Sequence, residues 1–177
     1  MSNLSHHPPH IYLDDTWYFI TASSYRRLPL LKPDGYKDFL RDQLQSLVIK
    51  FHLTLAAWVI LDNHYHILIK SEFGAALSNF FRQLHGGTSF QFNTRDKKRG
   101  RQVWHNFWDI CIHAEADYWT RLNYIHHNPI KHNYVSQMED WPFSSYRNYL
   151  EDKGEEWLTD SFRMYPIVDF TDRTDDF

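Results

Sequence analysis

Two short segments carry side chains that could do chemistry together. Asn63-His64-Tyr65-His66-Ile67-Leu68-Ile69 sets two imidazoles two residues apart, and Tyr124-Ile125-His126-His127-Asn128-Pro129 sets a phenol and an amide four apart. On a strand, residues i and i+2 share a face, so His64 and His66 project together. Two such nitrogens can hold one metal ion at about 2 Å. On a helix, residues i and i+4 lie one above the other, which aligns Tyr124 with Asn128. A phenol is a weak nucleophile at neutral pH because its pKa is about 10. A divalent cation beside it polarises a scissile phosphate and offsets charge building on the phosphorane oxygens. The expected ligands are His64, His66 and one oxygen donor from Asn128, with positions left for phosphate and water. That nitrogen and oxygen set suits Mg²⁺ or Mn²⁺, and Mn²⁺ is the better match to imidazole.

Each feature also has a bland reading. His-x-His on a half-exposed strand is often just two polar residues on the wet face. A helix tyrosine is more often an interfacial aromatic than a nucleophile. Asn128 alone would be a common helix C-terminal residue, and Pro129 alone a stop signal. The joint appearance of these residues is what favours chemistry. His6, His7 and His10 sit in a proline-broken N-terminus and read as solvated.

The surrounding elements must bring the phenol to the imidazoles. Trp17 to Ser23 is aromatic and β-branched and reads as a strand. Pro33-Asp34-Gly35 marks a turn, and Tyr36 to Phe51 repeats apolar residues at helical spacing. Leu53 to Leu61 is a near-continuous apolar run that suits a buried strand. Asp62-Asn63 makes a tight turn into a second strand, His64 to Lys70. Ala75 to Phe92 reads as a helix that Gly86-Gly87 should weaken or bend. Arg95 to Arg101 reads as a loop, Phe107 to His113 as a strand, and Ala114 to His127 as a helix. Asn128-Pro129 should end that helix, because the residue before proline avoids the helical region. A small helix could begin within Trp141-Pro142-Phe143-Ser144-Ser145-Tyr146. The order β-α-β-β-α-β-α predicts an α+β fold, the ferredoxin-like split βαβ. Its antiparallel sheet would carry helices on one face, plus an extra C-terminal helix bearing the tyrosine.

Composition narrows the class. With 177 residues the chain can build one real core, and 7 Trp, 11 Tyr and 13 Phe argue against disorder. The single Cys111 excludes an internal disulfide framework and a multi-thiolate zinc site, and it fits a reducing, cytoplasmic setting. There is no signal core at the N-terminus, and no run approaches the roughly 18 apolar residues of a membrane span. The net charge of −3 is uneven, since residues 151–177 hold nine acids and three bases. The body, 1–150, is therefore basic overall, and Arg95, Lys97, Lys98, Arg99 and Arg101 crowd into one short stretch. Those bases, with Arg82 on the preceding helix, could grip phosphates, although charge runs are usually just solvated. Trp104, Phe107 and Trp108 could stack on bases, but core packing is the simpler job for most of them. The acidic 151–177 segment reads as a tail that could fold over the basic groove.

The same residues resemble the HUH endonuclease superfamily and, more narrowly, the REP-associated tyrosine transposases. Three segments carry the likeness in order: Ala57 to Leu68 with His64 and His66, Tyr124 to His132, and Trp141-Pro142-Phe143-Ser144-Ser145. Phe19-Ile20-Thr21 followed by Arg26-Arg27 resembles the family's first strand and its exit. The likeness spans roughly Trp17 to Tyr149, within a single domain taken as 11–150. It implies that Tyr124 is the nucleophile, His64 and His66 the metal ligands, and Asn128 the third ligand. It implies single-stranded DNA with a hairpin beside the cleavage site as substrate, a 5′-phosphotyrosine intermediate, and a monomer rather than a dimer. Two features depart from the pattern. The chain is acidic overall, and Asp62-Asn63 replaces the family's usual Pro-Asn, which should alter the turn and leave the imidazoles in place. A metal-dependent hydrolase and a non-catalytic nucleic-acid-binding module on a ferredoxin-like sheet are the competing readings.

Overall fold

Burial of both faces of the central strands dictates the architecture. The computed structural model describes residues 12–105 and 107–168. Four strands, β1 (Thr16–Ser23), β2 (Thr54–Ile60), β3 (His64–Ser71) and β4 (Trp108–Ile112), form one sheet in the order β2-β3-β1-β4. Every pairing is antiparallel. Together with the helices between the strands, this is the ferredoxin-like arrangement expected from the order of elements.

Residues of opposite parity feed two separate cores. Tyr18, Ile20, Trp58, Ile60, Tyr65, Ile67 and Ile69 face one side. There they meet α1 (Asp34–Lys50), through Leu40, Leu44 and Leu47, and α2 (Gly74–Arg95), through Leu77, Phe80, Phe81 and Leu84. Phe19, Ala57, Val59, Leu61 and Leu68 face the other side. They meet α3 (Glu115–Lys131) through Leu122, Tyr124 and Ile125. The tyrosine helix thus covers the sheet face opposite the other two helices. That same face is the one to which His64 and His66 belong.

Several local expectations give way to packing. Asp34 and Gly35 begin α1 instead of forming a turn before it, with Pro33 at the cap position. Gly86-Gly87 leave α2 unbroken over 22 residues. Their combined propensity cost of about 2 kcal/mol is outweighed by buried anchors on both sides, Leu84 and Thr88. Helix α2 also takes in Arg95, so the basic segment starts on a helix end. Asn128-Pro129 do not end α3, which runs on to Lys131. Asn128 and Pro129 are both buried there, and tertiary packing overrides the local stop signal.

The small helix expected within Trp141 to Tyr146 begins at Tyr146, and the residues before it, Trp141 to Ser145, cap a sheet edge. Ile60 N–H donates to Phe143 O at 2.9 Å, Ser145 N–H to Trp58 O at 2.9 Å, and Trp141 Nε1–H to Ile60 O at 3.1 Å. These bonds cover the open edge of β2, which would otherwise expose unpaired backbone groups. Helix α4 (Tyr146–Lys153) follows.

The acidic segment is not a loose tail where it is described. Helix α5 (Glu155–Met164) docks on α3. The buried Asn123 amide donates to Ser161 O at 3.0 Å and Tyr165 O at 2.9 Å, and Ser161 Oγ donates back to Asn123 Oδ1 at 3.1 Å. Trp119 packs against Trp157 and Tyr165. Helix α5 therefore belongs to the layer of the tyrosine helix and does not fold over the basic segment on α2. His6, His7, His10 and the acids from Asp169 onward lie outside the described residues. No helix among the described residues is long and apolar enough to cross a membrane.

A Cβ added at Gly86 or Gly87 would meet nothing within 4 Å. Gly86→Ala and Gly87→Ala should each raise stability by about 0.5–1 kcal/mol, measured as a higher urea midpoint at unchanged slope.

Candidate active site

The histidine pair is held by its strand neighbours. His64 and His66 pair across the ladder with Ser23 and Thr21 of β1. The Thr21 hydroxyl lies 2.8 Å from His66 Nδ1, and Asn63 Oδ1 lies 2.6 Å from His64 Nδ1. Both rings are thus oriented through Nδ1, the usual way a protein fixes the tautomer of a ligating histidine. The two rings stand 5.0 Å apart between centroids. Both are buried. Burial, then the neighbouring His132, pushes His64 down to about 3, and burial, then His64, holds His66 well below the ordinary imidazole range. Neutral imidazole is the form that binds a metal.

The tyrosine helix and its C-cap deliver four more groups. The Tyr124 ring lies 5.6 Å from the His66 ring and 6.0 Å from Phe19. Asn128, one turn later and fully buried, sits beside His64 and favours its protonated form against the other influences. Asn128 lies close enough to act on the His64 ring, yet among the described residues neither its amide oxygen and nitrogen nor His64 Nε2 has a hydrogen bond of good geometry. Buried polar atoms left this way normally mark an unfilled ligand position or strain. Lys131, two turns from Tyr124, donates from Nζ to the Tyr124 hydroxyl at 3.1 Å and lies over the ring. His132, at the helix cap, packs its ring 5.0 Å from His64.

The donor chemistry fits a divalent ion. Two neutral imidazoles and an amide oxygen converge, with no thiolate nearby. Among the described residues, no group of three or more His, Cys, Asp or Glu side chains is gathered for a metal. Any ion at this place would depend on the Asn128 amide for its third protein ligand.

The turn before His64 has a support that its sequence did not disclose. Asp62 pairs with the buried Lys37 of α1 at 2.8 Å. The same ammonium donates to Lys32 O at 2.8 Å and lies over the rings of Trp141 and Phe143. The departure from Pro-Asn therefore comes with an ion pair that pins the turn.

The structure divides the basic residues. Arg101 pairs with Asp96 at 2.7 Å and donates to Asn93. Arg95 donates to Gly35 O at 3.0 Å and lies over Tyr36 and Phe39. Both help to build the scaffold. Arg82 is exposed on α2 and donates to Asn79. Lys97, Lys98 and Arg99 are exposed and form no ion pair among the described residues. Of the aromatics, Trp104 is buried against His85 and Phe107 stacks on Phe81, whereas Trp108 is half exposed.

Sequence reasoning missed Thr21, Lys131, His132 and the Lys37–Asp62 pair as parts of this site. Thr21 could have been found from ladder register, and Lys131 from its i+7 spacing to Tyr124. Nothing in the sequence pointed to Lys37.

Comparison with known proteins identifies the family. Residues 14–128 match the model of the "Transposase IS200 like" family. A protein of Haemophilus influenzae described as a REP-associated tyrosine transposase is 30% identical over 154 residues, 77% of this chain and 86% of its relative. The REP-associated tyrosine transposase of Escherichia coli K12 is 27% identical over 139 residues, 74% and 76% of the two chains. A solved REP-associated tyrosine transposase bound to a REP hairpin superposes with a TM-score of 0.68 at 25% identity, covering 98% of this chain and 95% of the other. The chain belongs to the IS200-like transposases and, within them, to the REP-associated tyrosine transposases.

Burial holds His64, His85 and His126 each near 3. These rings stay neutral in the fold, whereas the unfolded chain takes up protons below about pH 6.5. Stability should therefore fall as pH drops from about 6.5 toward 3, by about 1 kcal/mol per pH unit for each fully buried ring. Urea unfolding across that range, with metal chelated, measures it.

Proposed function

We propose that the chain is a metal-dependent single-stranded DNA endonuclease and strand transferase that works through a 5′-phosphotyrosine at Tyr124. One observation carries this reading: Tyr124, His64, His66 and Asn128, drawn from two distant segments, are all buried, with the Tyr124 ring 5.6 Å from His66 and the two imidazoles 5.0 Å apart. Membership of a tyrosine transposase family supports it, and so does the likeness to a relative solved with a REP hairpin.

His64, His66 and Asn128 would hold Mg²⁺ or Mn²⁺. A divalent ion there supplies charge to polarise the scissile phosphate and stabilise the phosphorane oxygens. Thr21 and Asn63 keep the two imidazoles in one orientation, so little ordering remains when substrate arrives. Tyr124 Oη attacks phosphorus and the P–O3′ bond breaks. The phenol's proton reaches the departing 3′-oxygen by way of solvent. The protein keeps the 5′-phosphate as a tyrosyl ester, whose energy a second 3′-hydroxyl can use for strand transfer. Lys131 donates to the Tyr124 hydroxyl oxygen and favours its phenolate, the form that attacks. Lys97, Lys98 and Arg99, with Arg82, contact phosphates of the bound strand. Arg95 and Arg101 shape the segment that presents them. By analogy with the solved relative, the DNA carries a hairpin; that the chain acts in the cytoplasm and as a monomer is part of the same proposal.

Incubation with 5′-flanked hairpin DNA and Mn²⁺ should give a covalent adduct at Tyr124, visible as a mass shift. Tyr124→Phe should abolish it, and an adduct that persists in that variant rules Tyr124 out. His64→Ala and His66→Ala should each remove metal-dependent cleavage while the protein still melts cooperatively. A metal-dependent hydrolase would turn over without an adduct, and a binding module would do no chemistry.

Lys131→Met should slow adduct formation roughly a hundredfold, the loss of phenolate expected when a neighbouring cation is removed, with little change in DNA affinity. Equal loss of affinity and rate would make Lys131 a DNA contact instead.

A further inference from the structure

Helix α2 is longer than the sheet it covers. Its 22 residues rise about 33 Å at ~1.5 Å each. The eight residues of β3 span only about 26 Å at ~3.3 Å each. Helix α2 starts just beyond the end of β3 and runs back toward His64, so its last turns overhang the sheet at the histidine end. The segment that follows is tied to that end. Tyr25 N–H donates to Val103 O, and His105 N–H donates to Ser23 O, the ladder partner of His64.

On this overhang lies a cleft of about 610 Å³ lined by Phe90, Asn93, Thr94, Lys97, Arg99 and Gly100. The spacing explains it, because positions 90, 93, 94 and 97 share one face of the helix and its continuation. Gly100, at φ +79°, turns the chain back so that Arg99 forms the far wall. The turn is rigid. The Asn93 amide donates to Arg101 O at 2.8 Å and accepts from Arg101 Nε at 2.9 Å, and Arg101 pairs with Asp96. Tyr36 donates to Asp96 from below.

The lining has a distinct chemistry. Phe90 is 69% exposed, the barest aromatic ring among the described residues. A lone exposed phenylalanine needs no explanation. Here it faces two cations without an ion-pair partner among the described residues, and no carboxylate lines the cleft. An aromatic platform beside two positive charges suits a ligand that is both π-faced and polyanionic. Charge complementarity favours a nucleic-acid strand, and the volume falls within the ~300–1,000 Å³ of small-ligand sites.

We propose that this cleft is a nucleotide subsite. Phe90 stacks on one unpaired base of single-stranded DNA, and Lys97 and Arg99 hold the phosphates flanking that base. The subsite lies across the sheet from Tyr124 but at the same end, so it anchors the strand away from the bond that is cut. The inference rests on the single-stranded DNA reading above and adds a binding element to it.

The test is fluorescence anisotropy with fluorescein-labelled oligothymidylate, using the full chain with metal chelated. Phe90→Ala should weaken binding roughly tenfold, and Phe90→Trp should restore it, as sequence-tolerant stacking requires. Lys97→Gln/Arg99→Gln should make the salt dependence shallower by about 1.4 in log–log slope, from two phosphates at ~0.7 each on a single strand. Phe90 and both bases are solvent-facing, and unchanged melting of each variant shows that the fold survives. Wild-type binding that Phe90→Ala leaves intact overturns this subsite alone, and a salt slope unmoved in the double variant overturns it together with the phosphate contacts assigned above to Lys97 and Arg99. Failure of the wild-type chain to bind the oligonucleotide overturns the DNA reading as well. Equal competition by oligoglutamate would make the cleft a general anion surface and also overturn the inference.

Discussion

The antiparallel register between β1 and β3 governs everything that follows in this molecule. Thr21 opposite His66 and Ser23 opposite His64 put both imidazoles on the face covered by α3. A slip of one residue would turn both rings toward α1 and α2 and drive Tyr65 and Ile67 into the polar pocket. The register is protected by burial on both faces, since the intervening residues of β3 are core to the opposite helix layer. Two hydrophobic cores, filled from alternate residues of the same strands, thereby fix the direction of two histidines. Helix α3 then has only to lie across that face for its phenol to meet them.

Much of this fold was legible because the apolar, β-branched runs of the strands and the helical spacing of the helices were clean. The strand and helix order followed from them, and the ferredoxin-like sheet with it. The errors share one cause: a local signal was read where a long-range contact decides. Pro129 is a stop signal by itself, yet α3 continues through it because that turn is buried on the sheet. Gly86-Gly87 suggest a break that Leu84 and Thr88 do not permit. The acidic segment looked like a solvated tail, since its charges hide the few residues that dock, Leu158 and Ser161. The edge cap made by Trp141 to Ser145 was not legible, because edge capping leaves no periodicity at all.

The candidate site was legible in part for a different reason. Spacing along a strand or helix reports which side chains share a face, so His64 with His66 and Tyr124 with Asn128 could be paired on paper. Groups that act across elements leave no such trace. Thr21 becomes visible only through its ladder partner, and Lys37 only through the turn that it meets. Charge counting failed most clearly at the basic cluster. Five cations in one stretch looked equivalent, yet Arg95 and Arg101 are consumed in building the segment that leaves Lys97, Lys98 and Arg99 outside.

The Lys37–Asp62 pair has an implication for how this lineage can vary. The ammonium is buried between a carboxylate, a backbone carbonyl and two aromatic rings. Removing Asp62 leaves the buried ammonium with only the exposed Asp34 carboxylate 3.6 Å away, and removing Lys37 leaves the partly covered Asp62 without its ammonium, each at a cost of about 1–3 kcal/mol. Neither position can therefore drift independently. Where a sibling chain carries proline before its histidine motif, the residue occupying the position of Lys37 should be uncharged, and the two sites should covary as a linked couple across the lineage.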